Sequence, residues 1–407
     1  MLPNLFITLL ACNNQPNQPE EECIDSSRSS EIEEEIVEVT NGDAPFALSL
    51  HNEAHAQNKE NSKNLVHSPY SISSALGMLH LGASGNTKIE LEVGLGIENE
   101  TVWHNSKGII IQELHQPQRC DYQLAIANKL FAQKDMPFHD EFINSVDTIY
   151  GAPVQEVDFQ GSPEEGRIIV NDWVSEQTLS NIPNLLPEGS VTTNTRLILT
   201  NAIYMNAPWK QPFDPSDTRD FPFTTADGQN IQVPTMIHSE MDIQRYDDEL
   251  MSVANIPYEG NELSMSIYLP QEGVALSDIE DSLDTAYLQT IQSNQYFETA
   301  LINLPKFEIR SKLELKDTLI NLGMESMFEG GLDNISNENL VVSSVIHEAW
   351  IKVEEKGTEA SAATAVMVEA TSMPAEEFIV NRAFLFTIQD DITGALLFMG
   401  RVDNPLE

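Results

Sequence analysis

Apolar positions along this chain follow two spacings, one typical of helices and one typical of buried strands. A helix is predicted to begin at Ser68-Pro69, where a capping serine precedes a proline at the first helical position. The residues that follow at helical spacing are Ile72, Ala75, Leu76 and Leu79. A second helix is predicted through Ile168, Ile169, Trp173 and Val174.

Short apolar runs between the helical segments predict β-strands. The predicted strands are Leu124 to Leu130, Arg196 to Met205, Ser264 to Leu269, Ala300 to Phe307, Ala349 to Val353, Phe384 to Ile388 and Ala395 to Val402. These strands neither alternate regularly with helices nor follow one another as simple hairpins. The pattern therefore predicts an α+β fold with large sheets.

The first 43 residues differ in composition from the rest of the chain. Leu9-Leu10-Ala11-Cys12 resembles a bacterial lipobox, so residues 1–12 are predicted to be a lipoprotein-type signal that ends at a lipidated Cys12. Plain secretion, or a segment without a targeting role, are the alternatives. Residues 13–43 are rich in Asn, Gln, Pro, Ser and Glu and are predicted to form a disordered acidic tether. Residues 44–407 are then the folded domain, secreted or held at the cell surface.

The charge balance restricts the partners that the protein can have. The chain has 64 Asp and Glu residues against 21 Lys and Arg residues, a formal net charge of −43 at pH 7. Such a surface repels nucleic acid, and it predicts no activation by a heparin-type polyanion. The three cysteines, Cys12, Cys23 and Cys120, are too few for a disulfide framework and lack the spacing of zinc ligands. Neither a metal ion nor a cofactor is predicted.

Several collinear blocks of sequence resemble those of one protein family. The blocks are Asn201 to Trp209 with Phe213 and Phe221, Leu304 to Phe307 with Leu319 to Gly323, His347 to Thr364, and Asn381 to Phe384 with Phe398 to Val402 and Asn404-Pro405. In this order and spacing they resemble the serpins over about residues 44 to 405. The resemblance implies a single-domain α+β fold with three β-sheets, about eight or nine helices and an exposed reactive-centre loop. At Ala383 serpins usually have proline, and its absence is expected only to weaken a turn.

Residues Glu354 to Val366 match the hinge, which in an inhibitory serpin enters the central sheet as a new strand. Gly357 gives the start of this segment backbone freedom. Alternate side chains of a strand point to opposite faces, so one face here can be buried without desolvating a charge. That face holds Thr358, Ala360, Ala362, Thr364 and Val366, and the other holds Glu359, Ser361, Ala363 and Ala365. Without the resemblance, a flexible loop or an alanine-rich helix is the alternative.

Further positions are assigned through the resemblance. The residues that match the shutter, a buried polar cluster that must part when the hinge enters the sheet, are Ser68, Ser71, Asn201 and His347. Trp209 matches the breach, where the hinge first enters, and Lys306 with Glu355 matches an ion pair at the same place. Taken alone, His347 and Trp209 are more typical of ordinary core residues.

The bond presented to a protease is expected in the loop before Phe378. Counting forward from Glu355 with the usual family spacing places it at Thr371-Ser372, and counting back from Asn381 places it at Ser372-Met373. We take Thr371-Ser372 as the prediction, because insertion length is measured from the hinge. Ser372-Met373 is the alternative.

The residues at this bond indicate the class of protease. Neither position offers Lys or Arg, so trypsin-like enzymes are poor candidates, whereas a small residue suits the shallow primary pocket of elastase-like or subtilisin-like enzymes. Met367 and Met373 leave chymotrypsin-like cleavage open. The expected partner is a serine protease, with a cysteine protease as a second class, and the inhibitor is expected to be a monomer.

An enzyme is disfavoured as an alternative. In His51-Asn52-Glu53-Ala54-His55 the glutamate occupies neither position that zinc-helix motifs require, so the segment is interpreted as a solvated helix face. A non-inhibitory or substrate-like serpin, acting as a binding or structural protein, is the alternative that the hinge sequence argues against without excluding.

Overall fold

The computed structural model describes residue 28 and residues 34–58, 64–114, 122–358 and 376–407. Four sets of predictions lie wholly outside these residues: the signal ending at Cys12, the hinge residues Glu359, Ala360, Ser361, Ala362, Ala363 and Thr364, and the two alternative bonds Thr371-Ser372 and Ser372-Met373. Among the described helices, none combines the length and the apolar character needed to cross a bilayer.

Over the described residues the chain forms nine α-helices and fifteen β-strands. The helices are α1 (Glu34–Asn58), α2 (Pro69–Gly82), α3 (Gly85–Leu95), α4 (Glu100–Leu114), α5 (Asp140–Tyr150), α6 (Pro163–Gln177), α7 (Leu276–Ser282), α8 (Thr285–Asn294) and α9 (Lys316–Asn321). The strands are β1 (Leu65–His67), β2 (Gln123–Gln133), β3 (Gln155–Val157), β4 (Leu197–Pro208), β5 (Arg219–Thr224), β6 (Asn230–Asp247), β7 (Met251–Pro257), β8 (Leu263–Pro270), β9 (Tyr296–Pro305), β10 (Phe307–Glu314), β11 (Val345–Glu354), β12 (Gly357–Thr358), β13 (Glu376–Ile379), β14 (Phe384–Asp390) and β15 (Leu396–Val402).

One sheet has six strands in the order β10-β11-β12-β4-β2-β3. Strand β4 is buried along nearly its whole length, because α6 packs on one face of the sheet and α2 on the other. Its side chains alternate accordingly: Ile198 and Ala202 join the apolar cluster under α6, whereas Leu197 and Leu199 join the cluster that contains α2. A central strand buried on both faces explains the continuous apolar run that predicted it.

The second sheet has nine strands, in the order β1-β15-β14-β8-β7-β6-β9-β13 with β5 also paired to β6. Strand β6 is 18 residues long, and its register with β9 shifts between His238 and Met241. Before this shift β6 pairs with β5, and after it β6 pairs with β7. Within the described residues, two of the three predicted sheets are therefore joined through β6 into one hydrogen-bonded network.

Each predicted strand overlaps an observed one, and both predicted helices are present as α2 and α6. The predicted strand Ala300 to Phe307 is wrong as a single element, because β9 ends at Pro305 and β10 begins at Phe307. Between them the Lys306 N–H donates to the carbonyl of Pro234 on β6 at 2.9 Å, and the chain passes at this residue from the nine-stranded sheet to the six-stranded sheet. Ser68 caps α2 as predicted, since its Oγ accepts from the Ser71 N–H at 3.1 Å.

Helix α1 begins at Glu34, so the predicted tether is wrong for residues 34–43. Ile36 is 4% exposed in this helix, and the Thr40 hydroxyl donates to the carbonyl of Thr393 at 2.5 Å. Two features of the sequence concealed the helix start. The glutamate run suggested solvent, and Pro45, which lies inside the helix, resembles a residue at the first helical position.

Arg28 also belongs to the folded body, although it falls within the predicted tether. Its Nε lies 2.9 Å from Oε2 of Glu262, and its guanidinium also pairs with Asp390. These three side chains are each 5% exposed or less. An arginine is favoured for buried pairing because its planar fork donates to two carboxylates at once. Arg28 is thus held against the end of β14.

Candidate functional site

Gly357 and Thr358 form a short strand, β12, between the ends of β11 and β4. Thr358 pairs with Val353 on β11 and with Ala207 on β4, both antiparallel. Gly357 has φ 153°, and a Cβ at this residue would lie 2.2 Å from the carbonyl oxygen of Ala207. Only glycine fits so close to that backbone, which gives the freedom predicted for Gly357 a specific cause.

The Thr358 side chain occupies a buried position next to two stacked aromatic rings. It is 1% exposed, and its Oγ1 lies 2.6 Å from the hydroxyl of Tyr258. Burial raises the pKa of Tyr258, so this phenol is protonated at neutral pH. The Tyr258 ring stacks on Trp209 with centroids 4.5 Å apart and planes 7° apart. The first residue of the face predicted to enter the sheet is therefore already buried within it.

Trp209 holds the turn that leads into β12. Its backbone N–H donates to the carbonyl of Lys356 at 2.9 Å, and its indole Nε1–H donates to the carbonyl of Glu354 at 3.0 Å. The N–H of Phe213 donates to the carbonyl of Glu355 at 2.8 Å. Three backbone carbonyls in succession are therefore fixed from one side, at the place predicted for the breach.

Lys306 and Glu355 are in contact, with Nζ 2.8 Å from Oε2. Thr218 donates its hydroxyl to the other oxygen of Glu355 at 2.8 Å. Burial acts to raise the pKa of Glu355, but the hydrogen bonds from Lys306 and Thr218 outweigh it and hold the pKa below its usual value. Glu355 is thus a charged, partly buried anchor at the start of the hinge.

A second polar cluster lies further down the same sheet, where β11 pairs directly with β4. The register places His347 opposite Asn201, and Asn201 opposite Asn128 on β2. The Asn201 amide donates to Asn128 Oδ1 at 2.8 Å and to the Ser71 hydroxyl at 2.7 Å. The Ser71 hydroxyl donates to the same oxygen of Asn128 at 3.1 Å. The cluster therefore spans three neighbouring strands and the first turn of α2.

The protonation of His347 follows from its partners. Its Nε2 accepts from the backbone N–H of Ser68 at 3.0 Å, so the proton must be on Nδ1, which donates to Asn201 Oδ1. Burial lowers the pKa of His347 to about 3, so the ring is neutral at neutral pH. The structure thus brings together all four residues predicted for the shutter. It adds Asn128, which sequence analysis missed because its role depends on cross-strand register.

His51 was misinterpreted as part of a solvated helix face. Its side chain is fully buried, with Nδ1 3.1 Å from Nε2 of His67 and Nε2 3.3 Å from Glu280. His67 immediately precedes Ser68, so a line of buried polar groups runs from Glu280 towards the shutter cluster. Helical periodicity failed here because a histidine is compatible with either face of a helix.

Ala383 stands where proline is usual in the family. Its N–H donates to the carbonyl of Thr224 at 3.1 Å, which proline could not do. The turn before β14 is therefore fixed by a hydrogen bond instead of a ring.

Comparison with known sequences connects this geometry to a family. A profile of "Serpin (serine protease inhibitor)" matches residues 41–405. The chain is 35% identical to human serpin B3 over 85% of its length and 95% of that protein. It is 35% identical to the leukocyte elastase inhibitor of Equus caballus, over 84% of this chain and 93% of that protein. An uncharacterised serpin-like protein of Thermococcus kodakarensis is also 35% identical, over 85% of this chain and 82% of the relative.

Comparison with solved structures gives the same family. The crystal structure of uncleaved ovalbumin superposes with a TM-score of 0.82, at 26% identity, over 90% of this chain and 100% of ovalbumin. The two-sheet arrangement described above is therefore shared across nearly the whole folded body.

Proposed function

The chain belongs to the serpin family, and we propose that it is an inhibitory member that traps serine proteases covalently. The family is described by serine protease inhibition, and relatives such as the leukocyte elastase inhibitor are named for inhibition and not for catalysis, so the chain is not an enzyme. In this mode of inhibition the chain's own loop is cleaved and then inserted into the sheet.

The observation that carries the proposal is the position of β12. Gly357 and Thr358 already pair with β11 and β4, whereas the next contact between those strands is the parallel pairing from Val345 to Ala349. The hinge residues that follow Thr358 in the sequence are small, and one of their two faces carries no charge. Extension of β12 would therefore continue a strand that has begun, without burying an ion.

The mechanism follows from this geometry. The protease serine attacks the carbonyl of Thr371, the peptide bond to Ser372 breaks, and Thr371 remains attached to the protease as an acyl ester. The hinge is then no longer joined to Ser372, and it extends β12 between β11 and β4 with the protease still attached at Thr371. For β12 to be extended, the parallel pairing between β11 and β4 must open, and the hydrogen bond from His347 to Asn201 must break. Trapping succeeds when insertion is faster than hydrolysis of the ester, so the outcome is kinetic.

The proposed targets are elastase-like or subtilisin-like proteases. A small residue precedes either candidate bond, and a relative 35% identical is named an inhibitor of leukocyte elastase. We also propose that the chain acts as a monomer outside the cell, attached through Cys12. Metabolic labelling with a radioactive fatty acid tests the attachment, and replacement of Cys12 by Ser should abolish the label.

Incubation of the full chain with an elastase, a subtilisin and a chymotrypsin tests the proposed function. Trapping gives a covalent adduct that survives denaturing electrophoresis and releases a peptide of residues 372–407 or 373–407, whose mass identifies the cleaved bond. Cleavage in the loop by all three proteases without any adduct would contradict inhibition. In that case, a rise in the melting temperature after cleavage indicates a substrate-like serpin, and no rise indicates a non-inhibitory one.

A further inference from the structure

Two buried histidines from different helices lie next to each other at the far end of α2 from the shutter cluster. His80 is near the end of α2 and is fully buried, and His104 in α4 is 2% exposed. Nδ1 of His80 lies 3.0 Å from Nε2 of His104. Glu100, the first residue of α4, offers a carboxylate oxygen within 4.8 Å of a nitrogen of each ring.

We infer that His80, His104 and Glu100 form a binding site for a divalent metal ion of the zinc class. Two imidazoles and one carboxylate are a donor set typical of zinc and of its neighbours in the first transition row, and unlike the all-oxygen sets of calcium and magnesium. A tetrahedral zinc ion bound at about 2.0–2.1 Å requires its nitrogen ligands to be about 3.3–3.4 Å apart. The two rings need to separate by only a few tenths of an ångström to reach this spacing.

The groups around the histidines provide the outer support that metal sites usually have. Nε2 of His80 faces the carboxylate of Glu92 at 3.5 Å. An imidazole that binds a metal through one nitrogen commonly donates its other N–H to a carboxylate, which fixes the tautomer. Glu92 therefore leaves the Nδ1 lone pair of His80 directed at the site.

The tautomer of His104 can change without loss of a proton from the protein. Its Nδ1 contacts the hydroxyl of Tyr150, and a phenol oxygen can either donate or accept a hydrogen bond. When Nε2 binds the metal, the ring proton moves to Nδ1 and is donated to Tyr150.

Solvent reaches the site along the glutamate side. The side chain of Glu100 is 44% exposed, and it pairs with Lys88, whose Nζ lies 2.7 Å from Oε2. Lys88 therefore competes with a metal ion for the same carboxylate. Removal of the Lys88 charge should therefore change the metal affinity if the cluster binds a metal ion. It should have no such effect if the cluster is only structural.

The experiment uses the full chain, freed of metal by a chelator and titrated with Zn²⁺ by calorimetry, and with Co²⁺ by visible absorption. We expect one metal ion per chain at this site and tetrahedral cobalt absorption. Glu100→Gln should weaken binding at least tenfold because a ligand is lost, and Glu92→Gln should weaken it about tenfold through the lost support of His80. Lys88→Gln should strengthen binding several-fold, because the competing ammonium group is removed.

Glu98→Gln is the matched control, since Glu98 is exposed in the short connection between α3 and α4 and is not part of the ligand set. It should leave the affinity unchanged. These substitutions are at exposed or half-exposed positions, so the variants should fold. Equal affinities in the native chain, Glu100→Gln and Lys88→Gln would overturn the proposal, as would cobalt absorption that Glu100→Gln does not alter. Failure of the native chain to bind either metal would overturn it as well.

Discussion

Replacing Thr358 with Arg puts a guanidinium where the structure buries a hydroxyl. Thr358 is 1% exposed, and it pairs with Val353 and Ala207, which are apolar. Its hydroxyl partner is Tyr258 at 2.6 Å, a neutral phenol because burial raises its pKa. The arginine would therefore meet apolar and neutral groups at this position, and the hinge should leave the sheet so that the charge stays in water.

The magnitude follows from the cost of an uncompensated buried charge, about 3–5 kcal/mol. In the starting state the hinge avoids this cost by moving out. Insertion after cleavage cannot avoid it, because residues beyond 358 can enter the sheet only after position 358. If the full cost falls on the insertion step, that step slows by about two to four orders of magnitude, since each 1.4 kcal/mol is a factor of ten. Hydrolysis of the acyl ester does not involve this residue and should keep its rate.

The assay compares the yield of denaturant-stable adduct with the yield of cleaved, released inhibitor. For Thr358→Arg the adduct should nearly disappear, while the rate of loop cleavage stays close to that of the native chain. Thr358→Val is one control, because it keeps the shape, loses only the bond to Tyr258 and should still trap. Glu359→Arg is the other control, since the alternation of the strand places residue 359 on the opposite face. Retained trapping by Thr358→Arg would refute the assignment, and so would equal loss of trapping by both arginine variants.

Three further predictions concern other parts of the fold. Gly357→Ala should lower the adduct yield at least tenfold, because its Cβ would lie 2.2 Å from a backbone oxygen. His347→Gln should reduce the loss of stability between about pH 6.5 and pH 3, measured as urea midpoints. The folded-state pKa of about 3 lies below the unfolded value, so falling pH favours proton uptake by the unfolded chain at about 1.4 kcal/mol per pH unit. Arg28→Ala should destabilise the chain by about 3–5 kcal/mol, because Glu262 and Asp390 lose a buried partner.

Each of these predictions has a distinct contrary result. An alanine at 357 that traps normally would show that β12 does not need to form. An unchanged pH dependence in His347→Gln would mean that the acid sensitivity belongs to the other buried histidines. For Arg28, a thermal melt in which both Arg28→Ala and Arg28→Lys match the native chain would show that the paired carboxylates do not depend on this residue.

Strands β4, β8, β11, β14 and β15 could be predicted because nearly all of their residues are buried, which produces apolar runs in the sequence. Strands β5 and β6 could not, since they alternate between buried and exposed positions and carry many polar residues. Of the hinge face predicted to enter the sheet, the structure describes only the first residue, Thr358, and that residue is buried. The rest of that face stays a prediction.

Features that depend on long-range contacts could not be predicted from local pattern. Asn128 joins the shutter cluster only because β2 is paired with β4 in one register. Arg28 is separated from Asp390 by 362 residues, and nothing in the composition of its surroundings distinguishes it from the other polar residues nearby in the sequence. His80 and His104 are 24 residues apart on two helices, and this is not a spacing that metal motifs use.

Under the proposed mechanism, the position of β12 determines where the sheet resists insertion of the loop. Because Gly357 and Thr358 are already within the sheet, burying them adds nothing to the barrier after cleavage. The remaining obstacle is the stretch where β11 pairs directly with β4 and where His347 bonds to Asn201. That cluster is fully hydrogen-bonded when closed, and half-open arrangements leave buried polar groups without partners. The sheet should therefore favour two arrangements, closed or fully opened by the loop, and the closed one holds only until a cleaved loop is available to replace it.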